Sequence, residues 1–158
     1  MEIVIGSDHF GYPLKEQLRT ELESLGHTPV DLGCGSATDE IDYPDVAVDL
    51  AARIAAGDFQ RGILVCGTGI GMAMAANKVP GVRAACCHDT YSAERARKSN
   101  DAQVLCLGAQ VIGVALGRDV MVRWLESEFG GGRSTRKVDK INRLDEARRA
   151  VEPPRAAS

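Results

Sequence analysis

The segment Gly62–Met72 changes character in its middle, and this change constrains the fold more than any other feature of the sequence. Ile63, Leu64 and Val65 form an uninterrupted apolar run of the kind found in strands that are buried on both faces. Cys66 ends the run, and glycines follow at every second position: Gly67, Gly69 and Gly71. The alanine-rich residues 72–76 favour a helix, so the glycine loop leads a predicted strand into a helix whose first N–H groups are unpaired. Such a loop is suited to an oxyanion or a phosphate, with a thiol beside it.

Strand and helix patterns alternate along the rest of the chain. Short apolar runs predict strands at residues 3–6, 27–32, 63–65, 82–87 and 103–107. Helical spacing predicts helices after Pro13, from a cap at Asp45 to Gly57, over residues 72–76 and 90–98, from Val114, and after the glycines at 130–132. Strands separated by helices are typical of βαβ units. We therefore predict an α/β fold, a three-layer αβα sandwich that is doubly wound (Rossmann- or flavodoxin-like) around a five-stranded parallel sheet.

The length and composition fit one domain. A chain of 158 residues with 44% hydrophobic residues can bury a sizeable core. Residues 1–150 are predicted to form this domain, and the proline- and alanine-rich residues 151–158 a flexible C-terminal tail. The net charge of −3 gives no bulk electrostatic reason to expect nucleic acid or a membrane surface as a partner. No apolar run has the length of a membrane span and no basic signal region opens the chain, so the sequence predicts a cytoplasmic protein.

The cysteines do not form a recognised pattern. There are five of them, an odd number without CxxC spacing, which indicates neither a disulfide framework nor a zinc site: Cys34, Cys66, Cys86, Cys87 and Cys106. Most are expected to be small core residues. Cys66 differs because a helix N-terminus is predicted just after it, and thiols in that position are often reactive.

Polar residues follow the predicted strands directly. In doubly wound folds, ligands bind outside the carboxyl ends of the strands, so these residues are the candidates for a site. They are expected to form one titratable rim, which consists of Ser7, Asp8 and His9, then Cys66, Gly67, Thr68 and Gly69, then His88 and Asp89, and finally Gly108.

Three interpretations of this rim are open from the residues alone. The first interpretation is dinucleotide binding, because residues 67–72 resemble the glycine fingerprint of such sites and Asp89 lies about 20 residues further on. Against it, Met72 stands where that fingerprint has a small residue, and the loop follows the third strand instead of the first. The second interpretation is a non-catalytic, flavodoxin-like nucleotide-binding module. The third is an enzyme that uses Cys66 as a base or nucleophile.

Several separate motifs of this sequence also occur together in one known family. The motifs are Gly6-Ser7-Asp8-His9, Asp42-Tyr43-Pro44, the run from Cys66 to Gly71, Ala75-Ala76-Asn77-Lys78, Gly81-Val82-Arg83-Ala84, Ser99-Asn100-Asp101 and Gly131-Gly132-Arg133. Up to about Ala150 the chain resembles the type B ribose-5-phosphate isomerases and the wider ribose/galactose isomerase family. The resemblance implies aldose–ketose isomerisation of a phosphorylated sugar without a metal ion or other cofactor. It also implies a homodimer or homotetramer whose active sites are shared between subunits.

The resemblance assigns roles to individual residues. Cys66 is implied as the base that moves a proton between C1 and C2 through an enediolate, Thr68 as the group that handles a hydroxyl proton, and Asn100 as an enediolate contact from across the subunit boundary. The N–H groups of the loop from Gly67 through Gly69 to Gly71 are implied as oxyanion donors. The implied substrate-binding residues are Asp8 for sugar hydroxyls, His9 and Arg133 for phosphate, and Tyr43 for the sugar pocket.

Two departures from the family pattern stand beside these matches. The ribose isomerases usually have a ring-opening histidine at the position of Ser99, and serine is a poor acid or base at neutral pH. The family commonly binds phosphate with three arginines. Here Arg133 matches, whereas Gln110 and Lys137 occupy the other two positions, and Arg136 beside Lys137 is a possible substitute.

The departure at Ser99 bears on the substrate. A pentose 5-phosphate closes a five-membered ring through O4, but a tetrose 4-phosphate has O4 esterified and cannot form that ring. The serine therefore favours a tetrulose phosphate, and residues 88–95 resemble the erythrulose-phosphate branch of the family. Ribose 5-phosphate, the family's usual substrate, remains the first prediction, and isomerisation of D-erythrulose 4-phosphate to D-erythrose 4-phosphate is the second.

Overall fold

The computed structural model of the protein describes residues 1–151, with side chains up to residue 147. Strands and helices alternate as predicted, and all strands pair in parallel in a single sheet. The strands are β1 (Glu2–Ser7), β2 (Thr28–Asp31), β3 (Gly62–Cys66), β4 (Ala84–Cys86) and β5 (Val104–Gly108). The helices are α1 (Tyr12–Ser24), α2 (Tyr43–Ala56), α3 (Ile70–Ala76), α4 (Thr90–Lys98), α5 (Val114–Leu125) and α6 (Thr135–Val151), with a short 3-10 helix at Gly132–Ser134.

The strand order in the sheet is β2-β1-β3-β5-β4. Crossovers in one direction, β1 to β2 and β4 to β5, place α1 and α4 with α5 on one face of the sheet. Crossovers in the other direction, β2 to β3 and β3 to β4, place α2 and α3 on the opposite face. This division is what connections of one hand require. The predicted three-layer, doubly wound fold is therefore confirmed.

Two apolar cores lie on the two faces of the sheet. One packs α1, α4 and α5 around Trp124 and Leu18, and the other packs α2 and α3 around Leu50 and Met72. Every residue of β3 and β5 is buried, as the uninterrupted apolar run predicted for a strand covered on both faces. The central strands are therefore a rigid base for the loops that follow them.

Some predicted boundaries differ from the structure. α2 begins at Tyr43, with Asp42 as its N-cap and Pro44 in its first turn, so the predicted cap at Asp45 lies inside the helix. Proline fits the first turn because the N–H groups there have no helical partner. β4 is an edge strand of three residues, shorter than residues 82–87, because it pairs only with β5.

The C-terminal part of the chain also departs from the pattern. Val138 of α6 is buried, whereas Ile141 and Leu144 are exposed in the single chain. Val151 ends α6, whereas residues 152–158 of the predicted tail lie outside the described residues.

Among the described helices, none has the length and apolar character needed to cross a bilayer. The cytoplasmic location stays a prediction.

Lys15 of α1 is a charged residue that is fully buried. Its Nζ donates hydrogen bonds to Asp31 Oδ2 at 2.6 Å and to the Cys34 carbonyl at 2.9 Å, and it lies 3.5 Å from Glu16 Oε1. A buried ammonium group needs such partners because desolvation is costly. These contacts join α1 to the end of β2 and to the loop that leads towards Tyr43.

Replacement of Asp31 by asparagine is expected to lower the free energy of unfolding by roughly 1.5–3 kcal/mol, because a charge-assisted hydrogen bond to a buried ammonium is lost. The control is Asp49→Asn, which removes an exposed ion pair with Arg53 on α2 and should cost less than about 0.5 kcal/mol. Urea denaturation of both variants provides the measurement. Equal losses in the two variants would contradict a structural role for the buried pair.

Candidate active site

The carboxyl ends of β1 and β3 form the topological switch point of the sheet. The chain leaves β1 over one face and β3 over the other, and doubly wound proteins bind ligands in the crevice that this divergence creates. Asp8 follows β1, is almost fully buried, and accepts a hydrogen bond from the Gly11 N–H at 2.9 Å. A Cβ built on Gly11 would lie 2.1 Å from the Val65 carbonyl oxygen. The turn of Asp8 therefore packs directly against the end of β3.

The thiol of Cys66 is held by the glycine loop that follows it. Cys66 is 4% exposed, and its Sγ accepts a hydrogen bond from the Gly69 N–H at 3.1 Å. Gly69 makes this possible with a φ of 76°, a backbone conformation that turns the chain back towards the sulfur and that residues with a side chain rarely adopt. The glycine loop thus directs a backbone N–H at the sulfur.

Neighbouring loops surround the glycine loop. Thr68 is exposed, and its Oγ1 accepts from the Ile70 N–H at 3.4 Å. The ring of Tyr43, at the start of α2, packs so closely on Gly71 that a Cβ there would lie 2.5 Å from a ring carbon. The Gln110 N–H donates to the Gly67 carbonyl at 2.9 Å. We call this assembly the thiol site, and it comprises Asp8, His9, Tyr43, Cys66, Gly67, Thr68, Gly69, Gly71 and Gln110.

The two histidines of the predicted rim are in different situations. His9 packs on Phe10 with ring centroids 4.2 Å apart, and its Nδ1 is buried with no hydrogen-bond partner among the described residues. The Nε2 of His88 accepts from the Gly108 N–H at 2.9 Å, which places the proton of a neutral imidazole on Nδ1. The backbone thus occupies Nε2 of His88.

Asp89 is a helix cap and takes no part in the thiol site. Its Oδ1 accepts from the Ser92 N–H at 2.7 Å at the start of α4, and this hydrogen bond lowers the pKa of the Asp89 carboxyl. The carboxylate of Asp89 is therefore committed to the helix cap. A side chain that satisfies the first N–H groups of a helix points back along that helix.

Three other cysteines have pKa values that favour the thiol form. Burial raises the pKa of Cys86, and it raises the pKa of Cys87 to about 12. Burial also raises the pKa of Cys106, which lies in the middle of β5, well above the ordinary range. These thiols match the expectation that most cysteines of this chain are core residues.

A second group of predicted site residues lies at the opposite end of the sheet. α4 runs back from the carboxyl end of β4, so Ser99 and Asn100 come just before the amino end of β5. An open cleft there is lined by side chains from α4, the 3-10 helix and the start of α6. We call it the basic cleft, and its side chains are Arg95, Ser99, Arg133, Ser134, Arg136 and Lys137.

One chain does not bring these two groups together. The length of β5 separates the two ends of the sheet. From its first residue to its fifth the strand extends about 13 Å, at a rise of roughly 3.3 Å for each step between neighbouring residues. Arg95 is a member of the basic cleft to which the sequence motifs gave no role in the site. Its signal was the spacing of four residues to Ser99, which places both side chains on one face of α4.

Comparison with known proteins agrees with the fold. The profile of the ribose/galactose isomerase family matches residues 3–141. A ribose-5-P isomerase B of Listeria innocua is 48% identical over 149 residues, which cover 94% of this chain and 100% of the relative. A D-erythrulose-4-phosphate isomerase of Pectobacterium atrosepticum is 52% identical over 141 residues, which cover 89% and 93%. The solved structure of ribose-5-phosphate isomerase B from Clostridium thermocellum superposes with a TM-score of 0.91 at 42% identity, covering 94% of this chain and 99% of that one.

These relatives and the matching fold identify the protein as an α/β enzyme of the sugar-phosphate isomerase class. The chain belongs to the ribose/galactose isomerase family. The interpretations as a dinucleotide-binding protein and as a non-catalytic module are therefore set aside.

Iodoacetamide at pH 8 is expected to label Cys66 before Cys86, Cys87 and Cys106. The raised pKa values of those three keep them protonated at this pH, and only a thiolate reacts. Peptide mass mapping over time would give the order of labelling. In a Cys66→Ala variant the early label should disappear, and labelling of Cys86 as fast as Cys66 in the parent protein would contradict the expectation.

Proposed function

We propose that the protein interconverts D-erythrulose 4-phosphate and D-erythrose 4-phosphate, with ribose 5-phosphate as the second candidate. This order differs from the one that the sequence favoured. The observation that carries it is the hydrogen bond between the hydroxyl of Ser99 and the guanidinium of Arg95, which commits Ser99 to another residue. The basic cleft is lined by arginine, lysine, serine and glycine, without a histidine among the described residues. A cleft of this composition offers no acid or base near neutral pH for opening a furanose ring.

His88 does not compensate for the missing histidine in this proposal. Its Nε2 accepts a backbone hydrogen bond from Gly108, so that nitrogen is not available to take a ring proton. A substrate that is always open-chain needs no such group. The relative from Pectobacterium atrosepticum, whose name describes an erythrulose-phosphate isomerase, adds support for a tetrulose substrate.

Cys66 is the proposed base. Its thiolate removes a proton from C1 of the ketose, the electron pair forms the C1–C2 double bond of an enediolate, and the negative charge moves to O2. The O1 hydroxyl proton passes to O2 through Thr68, the thiol returns its proton to C2, and C1 becomes the aldehyde. The Gly69 N–H donates to the sulfur of Cys66 and so fixes the position of the proposed base.

The rest of the thiol site supplies binding and proton handling. Thr68, exposed beside Cys66, is the proposed relay for the hydroxyl proton, and the N–H groups between Gly67 and Gly71 are the proposed donors to the enediolate oxygen. Asp8 and Tyr43 bind the sugar, and His9 has a buried Nδ1 that lacks a partner within the described chain and can contact a hydroxyl or a phosphate oxygen.

We further propose that a second copy of the chain completes each site. The thiol site and the basic cleft lie at opposite ends of the sheet, so Asn100, Arg133, Arg136 and Lys137 reach a bound substrate only from a partner subunit. A two-fold dimer joins each thiol site to the basic cleft of the other chain with one type of interface. Two apolar side chains of α3 next to the glycine loop, Ile70 at 56% and Met74 at 64% exposed, supply surface for such an interface.

The substrate proposal predicts that kcat/KM for D-erythrulose 4-phosphate exceeds that for ribose 5-phosphate by at least about tenfold, or roughly 1.4 kcal/mol of transition-state stabilisation. Steady-state assays of both sugars in parallel test this, and equal or better use of ribose 5-phosphate would reject the order.

On the preferred sugar, Cys66→Ala should lower kcat by ~10²–10⁴ because base catalysis is lost. The control is Cys87→Ala, which removes another buried thiol and should leave kcat close to that of the parent.

Mixing two inactive variants tests the shared site. Cys66→Ala and Asn100→Ala chains, after subunit exchange, should recover about a quarter of the parental activity, since half of random dimers are mixed and each mixed dimer holds one intact site. The control mixture is Cys66→Ala with Thr68→Ala. Both of those residues lie in one loop, so no intact site can form. Absence of recovery in the first mixture, with exchange verified by mass spectrometry, would mean that each chain builds its own site.

A further inference from the structure

Four cationic side chains of the basic cleft have no carboxylate partner. Within the part of the chain that the structure describes, no ion pair within 4 Å involves Arg95, Arg133, Arg136 or Lys137. The neighbours of Arg95 on α4 differ in this respect, because Arg97 pairs with Asp101 at 2.9 Å and Lys98 pairs with Glu94 at 3.1 Å. A group of unneutralised cations around one open cleft indicates a site for an anion.

Glu94 is the carboxylate next to Arg95 in sequence, and it is already in use. It contacts Lys98 at 3.1 Å and Arg123 at 3.5 Å, and the hydrogen bond from Lys98 lowers its pKa. These contacts keep the Glu94 carboxylate away from the cleft side of α4. Arg95 has the smallest of the charge effects on the Glu94 pKa and forms no ion pair with this carboxylate within 4 Å.

Ser99 holds Arg95 in place. The Nη2 of Arg95 donates a hydrogen bond to Ser99 Oγ one helical turn later. Ser99 itself sits on a firm turn, because its N–H donates to the Arg95 carbonyl at 2.9 Å and the next carbonyl, that of Asn100, accepts from Arg83 Nε at 3.1 Å. An arginine that is fixed before binding loses less side-chain entropy when it contacts an anion.

We propose that Arg95, positioned by the hydroxyl of Ser99, is a phosphate-binding residue of the isomerase site and acts together with Arg133, Arg136 and Lys137. This inference deepens the proposed isomerase function and rests on it for the identity of the substrate. A phosphate dianion has three acceptor oxygens, and the planar guanidinium presents paired N–H donors that match two of them. The Nη2–Ser99 bond fixes one end of the guanidinium while its other nitrogens can face the cleft. Ser99 is thus a positioning residue, and Arg95 makes the contact.

The central test is the variant Arg95→Met, which keeps the length of the side chain and removes the charge. We expect KM for the phosphorylated substrate and the competitive inhibition constant for inorganic phosphate each to rise at least about tenfold, since a charge-assisted contact is lost. The kcat value and the use of unphosphorylated D-erythrulose should stay near those of the parent protein. Assays at fixed ionic strength separate a specific contact from general screening.

Three further variants separate a binding role from a structural one. Ser99→Ala frees the guanidinium and should raise the inhibition constant for phosphate less than Arg95→Met does, whereas Ser99→Thr keeps a hydroxyl and should behave like the parent. Arg143→Met removes the same charge from an exposed position of α6 that does not line the cleft, so it should change neither constant. Equal effects of Arg95→Met and Arg143→Met would overturn the proposal.

Thermal stabilisation by inorganic phosphate gives a readout that does not depend on activity. Phosphate should raise the Tm of the parent protein, because a ligand that binds only the folded state stabilises it, and should raise the Tm of Arg95→Met much less. If the parent isomerises neither sugar but this difference in Tm is present, the proposed function fails and the phosphate contact stands. If the parent is active but Arg95→Met retains the parental inhibition constant and Tm shift, the role of Arg95 is overturned.

Discussion

The hydrogen bond from the Gly69 N–H to Cys66 Sγ depends on a fully buried strand that ends beside a loop with almost no side chains. β3 is rigid because apolar residues cover both of its faces, so the position of Cys66 is fixed by the core. The chain then has to reverse within three residues to bring an N–H back to the sulfur. The positive φ of Gly69 achieves this reversal, and a Cβ at that position would lie 2.9 Å from the Leu107 carbonyl carbon of the neighbouring strand. The close packing on β5 and the hydrogen bond to Cys66 thus both require glycine at position 69.

The same lack of space organises the neighbouring loops. Gly11 allows the turn of Asp8 to lie against the end of β3, and Gly71 allows the ring of Tyr43 to cover the start of α3. The side chains around the thiol are consequently brought together by backbones that approach one another closely, with few side-chain hydrogen bonds between the loops. Such a site is preorganised by the sheet, which suits a reaction whose main requirement is the placement of a base and oxyanion donors.

The charged side chains distinguish the two ends of the sheet. Many cations of the described chain have carboxylate partners, including the buried Lys15, and four of those without one line the basic cleft. The cleft lies at the end of the sheet that is remote from Cys66, so one chain contains both halves of the proposed site and cannot join them. This separation is the physical basis of the proposed two-fold dimer, in which proton transfer and phosphate binding in one site would come from different chains.

The sequence by itself determined the fold class and the composition of the thiol loop. Alternating strand and helix patterns fixed the three-layer arrangement, because an apolar run without period can be buried only between two layers of helices. The glycine spacing after Cys66 indicated the loop, and the separated motifs indicated the family. The tertiary structure decided which of these residues meet. It showed His88 bonded to Gly108, Asp89 turned back to cap α4, and Arg95 joined to Ser99 in a cleft remote from the thiol. The physical reason is that spacing along a chain determines which face of a helix or strand a residue occupies, whereas the hydrogen-bond partner of a side chain depends on the packing of elements distant in sequence.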